Sequence, residues 1–276
     1  MSTSSIHLAV AKKIQEKYNL GDNFLLGNIA PDAWRGISSR EKTHFHTFNE
    51  HDSDRLEAFD GNKTSKNSIV EFIIKYSEKL SDEFVLGYLT HLLTDGYFEK
   101  NLPEFIYGVR DKLPTLKMKN GGCLVATYKK MSEIEEREAK ILGFKLKNDF
   151  NIPYLNKKLN VLPVDEITVD SLNDTIDFIN VENYTPIEED LLLYDYDLIL
   201  KLIDDVVLKI DNVYKILYID LEPVIVDNKN KTCSFDIVID FSILNRKIFK
   251  DLIIKELVKI YPGYTFEIIL DTDISD

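Results

Sequence analysis

The chain has 276 residues, of which 44% are hydrophobic and 29% charged, a composition typical of a globular protein with a packed core. Its net charge of −13 argues against nucleic acid as a partner and against an anionic membrane surface. Cys123 and Cys233 are far apart and form no disulfide or metal-ligand pattern. With no secretory signal pattern and no long apolar run, we expect a cytoplasmic protein without an integral membrane segment.

Helical periodicity dominates the first two thirds of the chain. Apolar residues recur at spacings of three and four, and short polar segments separate the periodic stretches. The predicted helices cover about residues 5–18, the first part of 22–34, 68–80, 81–103, 123–144, 168–180 and 186–210, with a Pro-initiated turn at Asp32 and a polar loop over 35–65.

The pattern changes after about residue 195. Period-2 alternation in 214–227 and 233–243 predicts two strands, and the intervening NKNK predicts a hairpin turn. An amphipathic helix and a final strand, YTFEIILDTD, follow. With the preceding helix, the order α-β-β-α-β predicts a three-stranded sheet with two helices on one face. We therefore predict an all-α domain over 1–193 and a small α+β domain over 194–276.

The stretch GYLTHLLTDGYFEK contains the most informative pair of residues. It places His91 and Asp95 four residues apart on one face of an otherwise apolar helix. Imidazole and carboxylate are both ligands of divalent cations, and a half-buried carboxylate needs a cationic partner. The five histidines all lie in the first third of the chain, at His7, His44, His46, His51 and His91. Imidazole chemistry is therefore confined to that region.

Two ligands from one helix do not complete a metal site, so other segments must contribute. The candidates are Asp32 after the proline turn, His44 or His46 in KTHFH, and His7 on the first helix. The ordinary alternative for each histidine is a hydrogen-bonded core residue, and a pair at i,i+4 is often only a weak helix-surface pair. The apolar surroundings of the pair and the crowding of histidines favour a metal.

Four sequence blocks resemble the zinc-dependent phospholipase C family in order and spacing. They are HLAVAKKI (7–14), FLLGNIAPDAW (24–34), KTHFH (42–46) and GYLTHLLTDGYFE (87–99). The resemblance covers about residues 1–110. It implies a helical bundle that hydrolyses a small-molecule or lipid phosphodiester, with a metal-bound hydroxide as the nucleophile.

The resemblance also implies a ligand set for one or two Zn²⁺ ions. One four-ligand site would use Asp32, His44, His91 and Asp95, with His46 as the alternative to His44. His7 would begin a second site, so that Asp95 bridges two ions. Family enzymes also use a mature N-terminal tryptophan and further histidines, whereas no histidine follows His91 here. At most two of the family's three metals therefore have ligands.

The C-terminal α-β-β-α-β segment resembles the small dimerisation domain of cation-efflux transporters, which implies a homodimer formed through this segment. No residue is assigned as catalytic. Two functions stay open for the whole chain. One is a metal-dependent, phospholipase C-like hydrolase of phosphate esters. The other is a non-catalytic binding or assembly protein with a structural or vestigial metal site.

Overall fold

Helices make up most of the protein, and two small three-stranded sheets accompany them. The computed structural model describes residues 3–34, 39–45, 66–110, 113–125, 127–156, 159–184, 189–217, 223–238 and 246–271. His46 and His51 lie outside the described residues, as does most of the predicted loop over 35–65. No described helix has both the length and the apolar character that crossing a bilayer requires.

The helices follow the predicted order, with shifts at several ends. They are α1 (Ser4–Tyr18), α2 (Asp22–Ile29), α3 (Arg40–His44), α4 (Lys66–Lys75), α5 (Glu83–Asn101), α6 (Pro103–Ile106), α7 (Tyr128–Asp149), α8 (Val169–Tyr184), α9 (Tyr196–Leu217) and α10 (Arg246–Ile260). A 3-10 turn over Ala30–Asp32 follows α2. The short helix α3 lies inside the segment predicted to be a loop, and α9 begins ten residues later than predicted.

The first sheet was not predicted, so the description of residues 1–193 as all-α is wrong for one segment. Strands β1 (Tyr107–Arg110), β2 (Leu113–Lys117) and β3 (Cys123–Val125) form an antiparallel meander. Gly121 adopts a left-handed φ of 82° in the turn between β2 and β3. The strands are short and β3 is exposed throughout, so they carry little period-2 alternation.

The second sheet has the predicted strand count. Its order is β4 (Ile225–Asp227), β5 (Thr232–Val238) and β6 (Thr265–Asp271), with β4 antiparallel and β6 parallel to β5. The strand predicted from residue 214 is wrong at its start, because α9 continues to Leu217. Tertiary packing holds this turn helical: the buried Tyr214 hydroxyl donates to the Leu86 carbonyl on α5, at 3.1 Å.

Helices α2 and α5 cross at unusually short range, and this crossing positions the candidate site. A Cβ atom on Gly27 would lie 1.9 Å from the Phe84 carbonyl oxygen, and one on Gly87 would lie 2.0 Å from the Phe24 carbonyl oxygen. Only glycine leaves room for the two backbones to approach this closely. The carbonyl groups of α2 are thereby brought within hydrogen-bonding reach of side chains on α5.

Helix α9 packs against α1 and α5, although the sequence grouped it with the C-terminal strands. Asp211 on α9 is buried and accepts a hydrogen bond from Tyr18, at 2.5 Å. It also pairs with Lys17 at 2.6 Å and with Lys215 at 2.9 Å. These contacts join the end of α1, the helix that carries His7, to α9. The domain boundary at 194 stays a prediction.

Candidate metal centre

The structure brings together all five side chains that the sequence nominated. They form two groups, and within each group the ligand atoms lie within 4.8 Å of one another: His7 with His91 and Asp95, and Asp32 with His44 and His91. The residues come from α1, the 3-10 turn, α3 and α5. Segments separated by up to 88 residues therefore converge on one small volume in the core of the helical part.

A backbone carbonyl fixes the orientation of His91. Its Nδ1 lies 2.7 Å from the Asn28 carbonyl oxygen, and because a carbonyl only accepts, Nδ1 must carry the proton. The lone pair of the neutral ring is therefore on Nε2, which faces the cluster. Metal-binding histidines commonly use this second hydrogen bond to set their tautomer. The Gly27–Gly87 crossing brings the Asn28 carbonyl to this position.

His44 is oriented in the same way by the backbone of its own short helix. Its Nδ1 lies 3.1 Å from the Arg40 carbonyl oxygen and 3.0 Å from Thr43 Oγ1, which gives its own proton to the same carbonyl, so Nδ1 donates and Nε2 is directed at the cluster. Helix α3 is held against α5 because the Tyr88 hydroxyl donates to the Thr43 carbonyl. Phe45, just after α3, packs edge-on against Phe72. Tyr88 therefore serves the packing of α3 against α5.

Three ligand atoms form a triangle whose edges match a tetrahedral metal site. His44 Nε2 and His91 Nε2 lie 3.3 Å apart, and each lies 3.4 Å from Asp95 Oδ2. In a tetrahedron, neighbouring ligands lie about 1.63 bond lengths apart, which is about 3.3–3.4 Å for zinc bonds of 2.0–2.1 Å. The spacing of these three atoms therefore matches the ligand spacing of a tetrahedral zinc site.

Asp32 and His7 lie beside this triangle. Asp32 lies near His44, and His7 lies near the second oxygen of Asp95. Asp32 Oδ1 lies 3.9 Å from His44 Nε2, while its Oδ2 accepts a hydrogen bond from Ser4 at 3.1 Å. His7 Nε2 lies 3.1 Å from Asp95 Oδ1, the oxygen that does not face His44 and His91. His7 also stacks on His91 with ring centroids 3.6 Å apart. Asp95 thus presents one oxygen to each side.

Charge and burial in the cluster favour a bound cation. Burial alone would raise the pKa of Asp95, but His7 and His44 hold it well below its usual range. Burial opposes the charged form of His91, yet the carboxylates of Asp32 and Asp95 outweigh it and raise the pKa of His91. Burial and the charge on His91 lower the pKa of His7. The carboxylates of Asp32 and Asp95 lie beside three imidazoles that are nearly or fully buried. This arrangement of negative charge and buried ligands favours a bound cation.

Two charged residues at the edge of the cluster, Arg40 and Glu99, were not among the predicted ligands. Arg40 Nη2 lies 3.7 Å from Asp95 Oδ2 and 3.9 Å from Glu99 Oε1. Burial and the neighbouring Asp95 charge raise the pKa of Glu99 to about 7. Both residues have helical spacing from a nominated ligand, since Arg40 precedes His44 by four residues and Glu99 follows Asp95 by four. This i,i+4 spacing could have indicated from the sequence that both side chains lie next to the predicted ligands.

A separate cavity of about 370 Å³ lies at the far end of α5 and contains none of the five nominated residues. It is lined by Leu102, Phe105 and Ile106, by residues of β2, β3 and their turn including Lys117, Lys119 and Cys123, and by residues at the start of α9.

Comparisons with protein-family models, curated proteins and solved structures found no match for this chain.

Proposed function

We propose that the protein is a metal-dependent hydrolase of phosphate esters, with Zn²⁺ held by Asp32, His44, His91 and Asp95. The observation that carries the proposal is the triangle of His44 Nε2, His91 Nε2 and Asp95 Oδ2, with edges of 3.3–3.4 Å. A divalent ion in such a site polarises phosphoryl oxygens and makes water a nucleophile at neutral pH. The resemblance of the four sequence blocks to the zinc-dependent phospholipase C family points to the same chemistry.

The residues present supply one complete set of ligands and part of a second. His91 has only Nε2 available, because Nδ1 is committed to the Asn28 carbonyl, so His91 serves a single ion. His7 Nε2 and Asp95 Oδ1 then remain as two ligands for a weaker second ion. We expect one tightly bound zinc per chain, and we expect His7→Ala to retain it.

Partial exposure on one side of the cluster supports catalysis over a purely structural metal. The side chain of Asp32 is 29% exposed and that of Arg40 is 28% exposed, whereas His44 and His91 are fully buried. Because four protein ligands fill a tetrahedral zinc site, catalysis here requires a fifth position for water or substrate, as at zinc sites that expand to five-coordinate in the transition state. Asp32 and Arg40 mark the side from which a substrate would enter.

A non-catalytic protein with a structural metal is the second candidate function. The depth of the histidines favours it, because His7, His44 and His91 are at most 1% exposed. An ion held only by such groups contributes to folding and exchanges slowly. In that case the zinc content would be one per chain, and removing the ion would lower the melting temperature without any activity to lose.

Hydrolysis of bis(p-nitrophenyl) phosphate by the zinc-loaded protein separates the two functions. We expect turnover that is abolished by a chelator, restored by zinc and absent in His91→Ala. The chelated and reloaded wild-type sample is the matched control, because its sequence is unchanged. Tightly bound zinc without turnover would favour the structural role and contradict the hydrolase.

Homodimer formation through the C-terminal segment stays a prediction, and we expect it to use β4, the edge strand of the second sheet among the described residues. Ile225 and Val226 of β4 are 60% and 42% exposed, and Val224, immediately before β4, is 67% exposed. An exposed apolar edge strand is a template for pairing with a second chain. Sedimentation equilibrium would test this, and we expect Ile225→Lys to shift the protein toward monomer.

A further inference from the structure

A guanidinium group lies beside the carboxylate oxygen that would bind the metal. Arg40 Nη2 is 3.7 Å from Asp95 Oδ2, the oxygen that completes the triangle with His44 and His91. Arg40 belongs to the first turn of α3, and His44 to the last, so the same short helix carries both residues. The Arg40 side chain is 28% exposed, so its guanidinium lies at the open side of the cluster.

The carboxylates of Asp32, Asp95 and Glu99 offset much of the charge of a metal ion in this cluster, but Arg40 adds a further positive charge beside it. A divalent ion on Asp95 Oδ2 would have the positive charge of Arg40 as a close neighbour, and like charges at such range repel strongly. Arg40 Nη2 also lies 3.9 Å from Glu99 Oε1. An anionic group touching both cations would offset the repulsion, and arginine binds phosphoryl oxygens in a bidentate manner.

We propose that Arg40 is a substrate-binding residue that grips the phosphoryl oxygens of a soluble phosphate ester next to the metal. The inference rests on the proposed metal site and assigns the group that recognises the substrate there. The net charge of −13 favours a soluble ester over a lipid at an anionic membrane surface. The simpler role for Arg40 is to neutralise Asp95 and Glu99, and the two roles predict different behaviour.

Calorimetric titration of inorganic phosphate into the zinc-loaded protein tests this role without depending on turnover. We expect Arg40→Gln to weaken phosphate binding by about 10- to 100-fold, the usual cost of losing hydrogen bonds to a charged group. Zinc affinity should rise in the same variant, because the guanidinium no longer competes for Asp95. Opposite changes in the two affinities are not produced by general damage to the fold.

Two further variants keep the test decisive. Lys42→Ala removes one positive charge from an exposed position on the same helix, and we expect wild-type affinity for phosphate. Arg40→Lys keeps the charge but not the planar fork, so its phosphate affinity should lie between those of wild type and Arg40→Gln. If Arg40→Gln does not fold, Arg40→Lys alone tests whether Arg40 contributes to phosphate binding.

Three results would overturn the inference. One is unchanged phosphate affinity in Arg40→Gln, and the second is a joint fall of zinc and phosphate affinity in both Arg40 variants. The third is binding to phosphatidylcholine vesicles without affinity for phosphate, which would assign a lipid headgroup. A wild-type protein that binds zinc and phosphate but hydrolyses no phosphodiester would contradict the proposed hydrolase and leave the role of Arg40 supported.

Discussion

His44 Nε2 and His91 Nε2 face each other at 3.3 Å inside the protein, and both rings donate their Nδ1 protons to backbone carbonyls. In their neutral forms the two imidazoles therefore direct lone pairs at each other, with the Asp95 carboxylate 3.4 Å from each. Three electron-rich atoms at this separation repel one another unless a cation lies between them. A proton satisfies two of them, whereas a metal ion satisfies all three.

Zinc binding should distinguish His44 from His46, the alternative that the sequence left open. We expect His44→Ala to lower zinc affinity by at least about 100-fold, because even supporting residues of metal sites contribute 10- to 100-fold. Its melting temperature in zinc should fall as well, because ligand loss removes folding energy. Metal analysis after dialysis and thermal denaturation provide the measurements.

His46→Ala is the matched control, because it removes an imidazole two residues away from the same sequence block. It should keep the zinc content of the wild type. Loss of zinc in His46→Ala with retention in His44→Ala would reverse the assignment.

Zinc affinity should increase with pH in the range around neutrality. Zinc needs the unprotonated Nε2 of His91, and the pKa of His91 is raised above its ordinary value of 6.5. At pH values below this raised pKa, zinc must displace a proton from His91 in order to bind. The zinc affinity therefore falls by about tenfold for each pH unit below that pKa. The pKa of His7 is lowered, so His7 adds no proton at neutral pH.

Titration calorimetry in buffers of different ionisation enthalpy counts the protons released. The count from His91 should approach one below its raised pKa and approach zero well above it. An affinity that is independent of pH from about 6 to 8 would contradict the combination of a raised pKa and a ligand role for His91.

The α2–α5 crossing predicts a reversal of the usual effect of alanine in a helix. Replacing a helical glycine with alanine ordinarily stabilises by about 1 kcal/mol. We expect Gly87→Ala to destabilise by at least about 2 kcal/mol, because its Cβ would lie 2.0 Å from the Phe24 carbonyl oxygen. Urea denaturation gives the free energy of unfolding, and a gain in stability would be incompatible with the crossing described.

The buried carboxylate between α1 and α9 should matter more than an exposed one nearby. Asp211→Asn should cost about 1–3 kcal/mol, because it weakens contacts with Lys17, Lys215 and the Tyr18 hydroxyl in a buried position. The matched control is Asp204→Asn. Asp204 also pairs with a lysine of α1, Lys13, but its side chain is 63% exposed, so the loss should stay below about 1 kcal/mol.

The contribution of Asp211 should also depend on pH in a defined direction. Opposing the effect of burial, hydrogen bonds from Lys17 and Tyr18 lower the pKa of Asp211 to about 2. A lowered folded-state pKa stabilises the protein above the ordinary value of 3.8, and that stabilisation is lost as the pH falls toward 2. Equal stability losses in the Asp211 and Asp204 variants would contradict the anchoring role.

Local sequence was sufficient where a single helix carries the information. The i,i+4 spacing of His91 and Asp95 predicted a shared face, and α5 spans Glu83–Asn101 close to the predicted 81–103. The convergence of Asp32 and His44 on that face came from resemblance rather than from periodicity, because no local pattern encodes contacts between residues 47 or more positions apart.

Features that depend on tertiary contacts were not predictable. The Asn28 carbonyl orients His91 through its backbone, so its side chain gave no signal. Tyr214 lies in the last turn of α9 despite the strand-like pattern around it, and its hydroxyl donates to the Leu86 carbonyl, a partner 128 residues away. The β1–β3 meander was missed because its strands have only three to five residues each.

A crystal structure of the zinc-loaded protein, with anomalous scattering recorded at the zinc edge, tests the central claim most directly. We expect an anomalous peak within about 2.0–2.2 Å of His44 Nε2, His91 Nε2 and Asp95 Oδ2, with Asp32 as the fourth protein ligand. A zinc ion bound elsewhere, or a loaded protein whose cluster shows no anomalous peak, would contradict the claim.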